Sequence, residues 1–230
     1  AAAPFEAGDS QNYLRQSGAV LMSTAMALCN DAQPGQKDGQ EVFLGDPTET
    51  ALSDYVKPLG YEAVRLVKRL PRVDEVPFDS QRKMMTTVHK EGNRYRVFVK
   101  GGLDEVLAHC TKVFDGKERP LTDADVARIR QTAEEMSNAA LRVLVFAMGQ
   151  QDTLAEGDKQ AAYERELTFL GMVGMIDPPR PTAREAVRKC LQAGIKPVMI
   201  TGDHKLTAAA IAKDLGILGK GDRVITGAEL

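Results

Sequence analysis

Apolar positions along this chain change period several times, and each change marks a new element. Leu14, Gly18, Leu21, Met22, Ala25 and Leu28 recur at helical spacing and predict a first helix. Asp31 to Gln40 contains Pro34, Gly35 and Gly39 and reads as a surface loop. Val42-Phe43-Leu44 predicts a short strand. In Gly45-Asp46-Pro47-Thr48-Glu49, Asp46 is placed to cap a helix with Pro47 at its first position and Glu49 at its third. That helix stops near Pro58-Leu59-Gly60, and a second short helix covers Tyr61 to Leu70. The period then shortens. Val73, Val76 and Phe78 lead into a turn at Asp79-Ser80-Gln81. Lys83 to Lys90 and Arg94 to Val99 read as paired strands joined at Glu91-Gly92-Asn93.

Lys100-Gly101-Gly102 ends the second of these strands, and a helix carrying Val106, Leu107 and Cys110 follows. A longer helix spans Thr122 to Ala139, with Thr122 as its cap. Leu141 to Met148 and Leu167 to Met175 are apolar strands, separated by a polar stretch with a short helix at Asp152 to Arg165. Three prolines in Asp177-Pro178-Pro179-Arg180-Pro181 cannot continue a strand or a helix interior. They predict a stiff connector and a domain boundary, with one domain over 1–175 and a second over 176–230. Beyond it a helix (Thr182 to Ala193), a strand (Pro197 to Ile200), a helix (Leu206 to Leu215) and a strand at Arg223-Val224-Ile225 suggest a parallel α/β unit.

The 230 residues carry 43% hydrophobic and 27% charged residues, the balance of a chain that can bury a core. A net charge of −2 offers no basic surplus for nucleic acid or an anionic membrane. Cys29, Cys110 and Cys190 are far apart and form no CxxC pair, so we expect reduced, buried thiols in a cytosolic setting. His89, His109 and His204 have no metal-ligand spacing with them, and no metal-binding residue is expected. No apolar run approaches the roughly 20 residues of a membrane helix. The start at Ala1-Ala2-Ala3-Pro4 and the stop at Ala228-Glu229-Leu230 suggest part of a longer protein.

Candidate chemistry concentrates at strand ends. Val198-Met199-Ile200 runs into Thr201-Gly202-Asp203 and then a helix, the place where open α/β sheets bind phosphate-bearing ligands. A plain turn with Asp203 as helix cap fits the same residues. Lys100-Gly101 lets an ammonium and a bare backbone approach a ligand, or is a glycine turn before a helix. Phe78 is either an exposed aromatic able to stack on a base or a core residue. Arg142 stands alone in an apolar strand and needs an anionic partner, phosphate or carboxylate.

Five strings occur in order: GDPTETAL from Gly45, FDSQRK from Phe78, KGGLDEVL from Lys100, DPPRP from Asp177 and MITGDHK from Met199. Together they resemble the P-type cation-transporting ATPases, in the branch that includes calcium pumps. The resemblance covers nearly the whole chain. It implies an α/β fold: an α+β nucleotide-binding domain with an antiparallel sheet and flanking helices, followed by an incomplete Rossmann-like segment of the haloacid-dehalogenase type. It implies ATP as substrate, with Mg²⁺ in the intact protein. The implied ATP site comprises Glu49, Phe78, Lys83, Met85, Lys100, Gly101, Arg142, Asp177, Arg180, Thr201, Gly202 and Asp203.

Within that set the resemblance gives each residue an expected role. Phe78 would stack on adenine, Met85 would line its pocket or serve as a core residue, and Lys100 would form the base. Lys83 would approach the phosphates or remain a solvated lysine. Glu49 would hold the pocket, or bond back to the Asp46 backbone as a capping box, or both. Asp177 and Arg180 would sit at the hinge. Thr201 and Asp203 would support phosphoryl transfer, and His204 reads as a helix-start residue. Gly102, Leu103 and Asp104 depart from the family's usual KGAxE.

The family's DKTGT string, which holds the phosphorylated Asp, does not occur in these residues. We therefore expect an ATP-binding but inactive piece of the cytoplasmic part of an integral membrane pump, partnered by that pump's membrane and actuator domains. Two other readings remain: a soluble phosphatase of the haloacid-dehalogenase type, which predicts an early DxD that the first forty residues lack, and a non-catalytic nucleotide-binding or interaction domain.

Overall fold

A computed structural model describes residues 18–229 apart from positions 38, 62, 140, 177–180, 202–204 and 220. The chain separates into two compact units, one of Ala1–Val126 with Leu144–Val173, the other of Ala127–Val143 with Gly174–Leu230.

The first unit is built on a seven-stranded sheet in the order β3-β4-β5-β8-β9-β6-β7. These strands are β3 (Arg72–Asp79), β4 (Met84–Glu91), β5 (Arg94–Gly101), β6 (Cys110–Phe114), β7 (Glu118–Pro120), β8 (Arg142–Gln151) and β9 (Leu167–Met175). The β4–β5 hairpin is the centre of the fold. Its two-residue turn puts Gly92 first, at φ 60°, a left-handed conformation that glycine adopts without strain. Val88, Val97, Phe98 and Val99 of the hairpin and Phe146 of β8 are fully buried. β6 pairs in parallel with β9, so the sheet is mixed rather than purely antiparallel as expected.

Helix α1 (Gly18–Leu28) packs on α2 (Pro47–Val56), α3 (Ala63–Arg69) and β5. Leu14, expected on the first helix, lies outside the described residues. Asp46 caps α2 by accepting from the Thr48 N–H at 2.8 Å, with Pro47 in the first turn. A 3-10 turn at Lys57–Leu59 and left-handed Gly60 close it. The expected loop at Asp31 to Gln40 instead holds strand β1 (Gln33–Lys37), paired antiparallel with β2 (Gln40–Leu44). Backbone pairing in a two-stranded ribbon accepts Pro34 and Gly35, whose side chains carry little strand signal.

α4 (Leu103–Ala108) is shorter than expected, and Cys110 opens β6 instead of closing the helix. β6 and β7 went unpredicted. α5 (Asp123–Asn138) begins with a capping box in which the Thr122 and Asp125 side chains each bond the other's backbone N–H. α6 (Lys159–Tyr163) lies in the polar stretch, as expected.

In the second unit, α7 (Pro181–Gln192) and α8 (Lys205–Leu215) pack together, and Arg184 pairs with Asp214 at 2.5 Å. The strands expected at Pro197 to Ile200 and at Arg223 to Ile225 do not form. Among the described residues no neighbouring strand pairs with either segment, and a lone apolar strand has no ladder to satisfy its backbone. Val198 and Ile200 are accordingly 76% and 93% exposed. No described helix is long and apolar enough to cross a membrane.

Candidate functional site

A one-residue slip in strand pairing creates the site. β3 pairs Val76 with Thr86 and Asp79 with Met84, so Pro77 and Phe78 together oppose the single residue Met85. This is a β-bulge, which re-aims the side chains of the strand that carries the extra residue. Pro77 is tolerated there because a bulged position gives up its ladder bond. Met85 in turn pairs with Lys100 on β5. Register thus puts Phe78, Met85 and Lys100 in one row across three strands. Phe78 is 61% exposed, which excludes the core alternative for this residue.

The floor of the row is closed. Lys100 Nζ bonds Glu49 Oε1 at 2.5 Å, with only 7% and 13% of the two side chains exposed. The other oxygen of Glu49 accepts from the Asp31 backbone N–H at 3.1 Å, and the Glu49 carbonyl accepts from Asn30 Nδ2 at 2.9 Å. The Glu49 carboxylate therefore turns toward Lys100 and Asp31, and Asp46 caps the helix through Thr48 alone. Glu49 thus ties the start of α2 to the end of α1 and the end of β5. Arg72 extends the network by donating to Asp31 Oδ1 at 2.6 Å. Met85 is buried, and its carbonyl accepts from Cys29 Sγ at 3.5 Å. Burial pushes the Cys29 thiol up, against the pull of the Lys100 charge and of a bond from Thr87, as befits a fully packed side chain.

The rim is open. A turn at residues 79–83 joins β3 to β4, and the Asp79 carboxylate accepts from the Gln81 and Arg82 N–H groups at 2.9 Å each. Lys83 sits at φ 50°, a left-handed conformation for a non-glycine residue. Its carbonyl accepts from the Gly102 N–H at 3.1 Å, which locks the turn to the end of β5. A Cβ on Gly101 would stand 2.5 Å from that carbonyl oxygen, so only glycine fits. The Lys83 ammonium bonds Glu105 Oε1 at 2.9 Å. That bond raises the lysine and holds the Glu105 carboxyl below its usual range.

The remaining expected residues lie elsewhere. Arg142, exposed at the start of β8, and Thr201, also exposed, both belong to the second unit. Asp177, Arg180, Gly202 and Asp203 lie outside the described residues, as does His204. Sequence reasoning missed Asp31, Cys29 and Glu105 as neighbours of the site. Only Glu105 had a visible signal, an acid three residues after a helix-capping glycine. Two surface concavities share no lining residue with the row: about 520 Å³ by Phe43, Lys57 and Val64, and about 420 Å³ by Leu154 and Tyr163. Among the described residues no three His, Cys, Asp or Glu side chains converge as metal ligands.

Residues 20–182 match the family model described as P-type ATPase, cytoplasmic domain N. The chain belongs to this P-type ATPase family. The matched N-domain span contains four of the five strings, and MITGDHK lies beyond it. The chain is 41% identical to Calcium-transporting ATPase 1 of Lactococcus lactis over 99% of its own length and 26% of that protein's. It is 43% identical to Calcium-transporting ATPase 1 of Bacillus cereus over 91% of its length and 23% of that protein's. Against the Cation-transporting ATPase pma1 of Synechocystis the figures are 39%, 86% and 22%. The chain thus spans about a quarter of the length of these curated relatives. The N-domain family and the mixed α/β fold agree with what the five strings implied.

Proposed function

We propose that this N domain binds ATP for a cation pump, with calcium as the transported ion and an aspartyl phosphate as the intermediate. The observation that carries the reading is the Phe78–Met85–Lys100 row, where a bulge presents an exposed aromatic beside a lysine at a strand end. The names of the relatives support the choice of ion.

In this reading adenine stacks on Phe78, since every base offers a π-face and stacking contributes roughly 1–3 kcal/mol. Lys100, braced by Glu49, supplies positive charge beneath the ring, and Met85 fills the space between them. Gly101 lets the 79–83 turn that carries Lys83 close onto the end of β5. Lys83 and Arg142 meet the phosphates as a point charge and a planar fork. Asp177 and Arg180 act at the hinge as the domains close on the nucleotide. Thr201, with Gly202 and Asp203, steadies the phosphoryl group on its way to an acceptor Asp that is not among these 230 residues. Without that carboxylate the chain alone has no covalent step to catalyse. Among the described residues no three His, Cys, Asp or Glu side chains converge to hold Mg²⁺. The pump's membrane and actuator domains are the partners in this reading, and the N domain is its cytoplasmic part.

Titration of the chain with ATP and with adenosine, followed by NMR shifts, tests the site. Saturable shifts at Phe78, Met85 and Lys100 with both ligands are expected, with Lys83 and Arg142 responding to ATP alone. Binding that leaves the row unperturbed would place the nucleotide elsewhere.

A further inference from the structure

Lys83 does not wait for a ligand with a bare charge. Its ammonium is held at 2.9 Å by Glu105, from the first turn of α4. The pair is partly open to water, with 62% and 29% of the two side chains exposed. Asp104 adds a second negative charge acting on the same ammonium. The carboxylate reaches this position by folding over Gly102. A Cβ built on Gly102 would stand 2.2 Å from Glu105 Oε2 and 3.2 Å from its Cδ, with no backbone atom among the close contacts. Gly102 has φ −64° and ψ 155°, which any residue adopts, so backbone conformation does not require a glycine there. Only the carboxylate tip, the far end of a flexible side chain, stands where a Cβ would go. The bare Gly102 leaves room for the Glu105 carboxylate, and a Cβ there would push that carboxylate aside.

We infer that Glu105 is a specificity-determining residue of the site: its carboxylate occupies the Lys83 ammonium and must be exchanged for a phosphate before a polyphosphate ligand can use that lysine. The inference rests on the nucleotide-binding reading for its ligand and on the geometry alone for its competition. A neutral ligand gains nothing from displacing Glu105, whereas a polyphosphate must do so. The carboxylate thus lowers affinity only for ligands that use Lys83. It sets how far the site prefers nucleotides with a long phosphate chain. Because the pair is partly solvated, the exchange is a modest and reversible adjustment rather than a block.

The test is a calorimetric titration of ATP, adenosine and inorganic tripolyphosphate into the wild-type chain, E105Q, G102A, the G102A/E105Q double variant, K83A and the K83A/E105Q double variant. Glutamine keeps the helix-start geometry and removes the charge. E105Q should bind ATP and tripolyphosphate about threefold more tightly, the range open to a partly exposed charge pair, with adenosine unchanged. G102A should give a similar gain by pushing the carboxylate aside, and G102A/E105Q should add nothing further. K83A/E105Q should show no gain over K83A. Equal polyphosphate affinity in wild type and E105Q, or a gain that persists without Lys83, would overturn the inference. If adenosine binds no variant while tripolyphosphate still gains in E105Q, the nucleotide reading fails and the competition stands.

Discussion

The site contains two Lys–Glu pairs of the same chemistry in opposite surroundings. Lys100 and Glu49 form the floor, with side chains 7% and 13% exposed. Lys83 and Glu105 form the rim, at 62% and 29%. Coulomb attraction between unit charges about 4 Å apart is roughly 1 kcal/mol in water and about 4 kcal/mol at the effective dielectric of a protein surface. Burial therefore makes the floor pair strong, and it also makes either partner costly to leave alone. The rim pair is weak and exchangeable. If the row binds ATP as proposed, function and folding are entangled on the floor and separable on the rim.

The largest effect is expected from Lys100→Met. It leaves the Glu49 carboxylate buried without its partner and should destabilise the fold by about 3–5 kcal/mol in urea unfolding. Adding Glu49→Gln should restore most of that stability while ATP binding stays lost. A single variant as stable as wild type would show that the floor pair carries no structural weight.

His89 extends the floor along β4, donating from one ring nitrogen to the Leu70 carbonyl at 3.0 Å and standing 3.0 Å from Thr87 Oγ1. Burial lowers its imidazole to about 4, with the Leu70 bond acting in the opposite sense. Between about 6.5 and 4 the unfolded chain takes up a proton that the folded chain refuses. Stability from this group is thus complete above about pH 6.5 and falls as the pH drops toward 4. Urea midpoints at about pH 5 and about pH 7.5 should differ more for wild type than for His89→Gln. Equal differences would assign the acid lability to carboxylates.

Phe78→Ala should cost about 1–3 kcal/mol of binding, alike for ATP and adenosine. Its unfolding midpoint should shift by no more than about 0.5 kcal/mol, because the ring is largely in water. A large stability loss would mean that Phe78 packs rather than binds. Lys83→Ala should be the mildest, weakening ATP about threefold and leaving adenosine unchanged. Equal losses for both ligands would remove Lys83 from the phosphates.

Much of the fold was legible because local signals agreed. The β4–β5 hairpin and the Asp46-Pro47 helix start each combine a patterned run with a turn or cap residue. β1 was hidden because Gln33-Pro34-Gly35-Gln36 earns its strand state from cross-strand pairing alone. The apolar segment at Pro197 to Ile200 shows the converse: strand propensity without a neighbour makes no strand. At the site, Phe78, Lys83 and Lys100 stood out by residue type and by position at strand ends. The bulge that aims Phe78, the turn of Glu49 from a capping role to Lys100, and the space Gly102 leaves for Glu105 are tertiary facts. No periodicity encodes them.

The chain contains no tryptophan, so Phe78→Trp would place a single reporter on the rim. The measurement is its emission during titration with ATP and then with adenosine. Saturable quenching by both ligands, with a wild-type unfolding midpoint, is the predicted result. Emission that ignores ATP in a folded protein that still binds it would contradict the account, because the base would then lie away from the Phe78–Met85–Lys100 row.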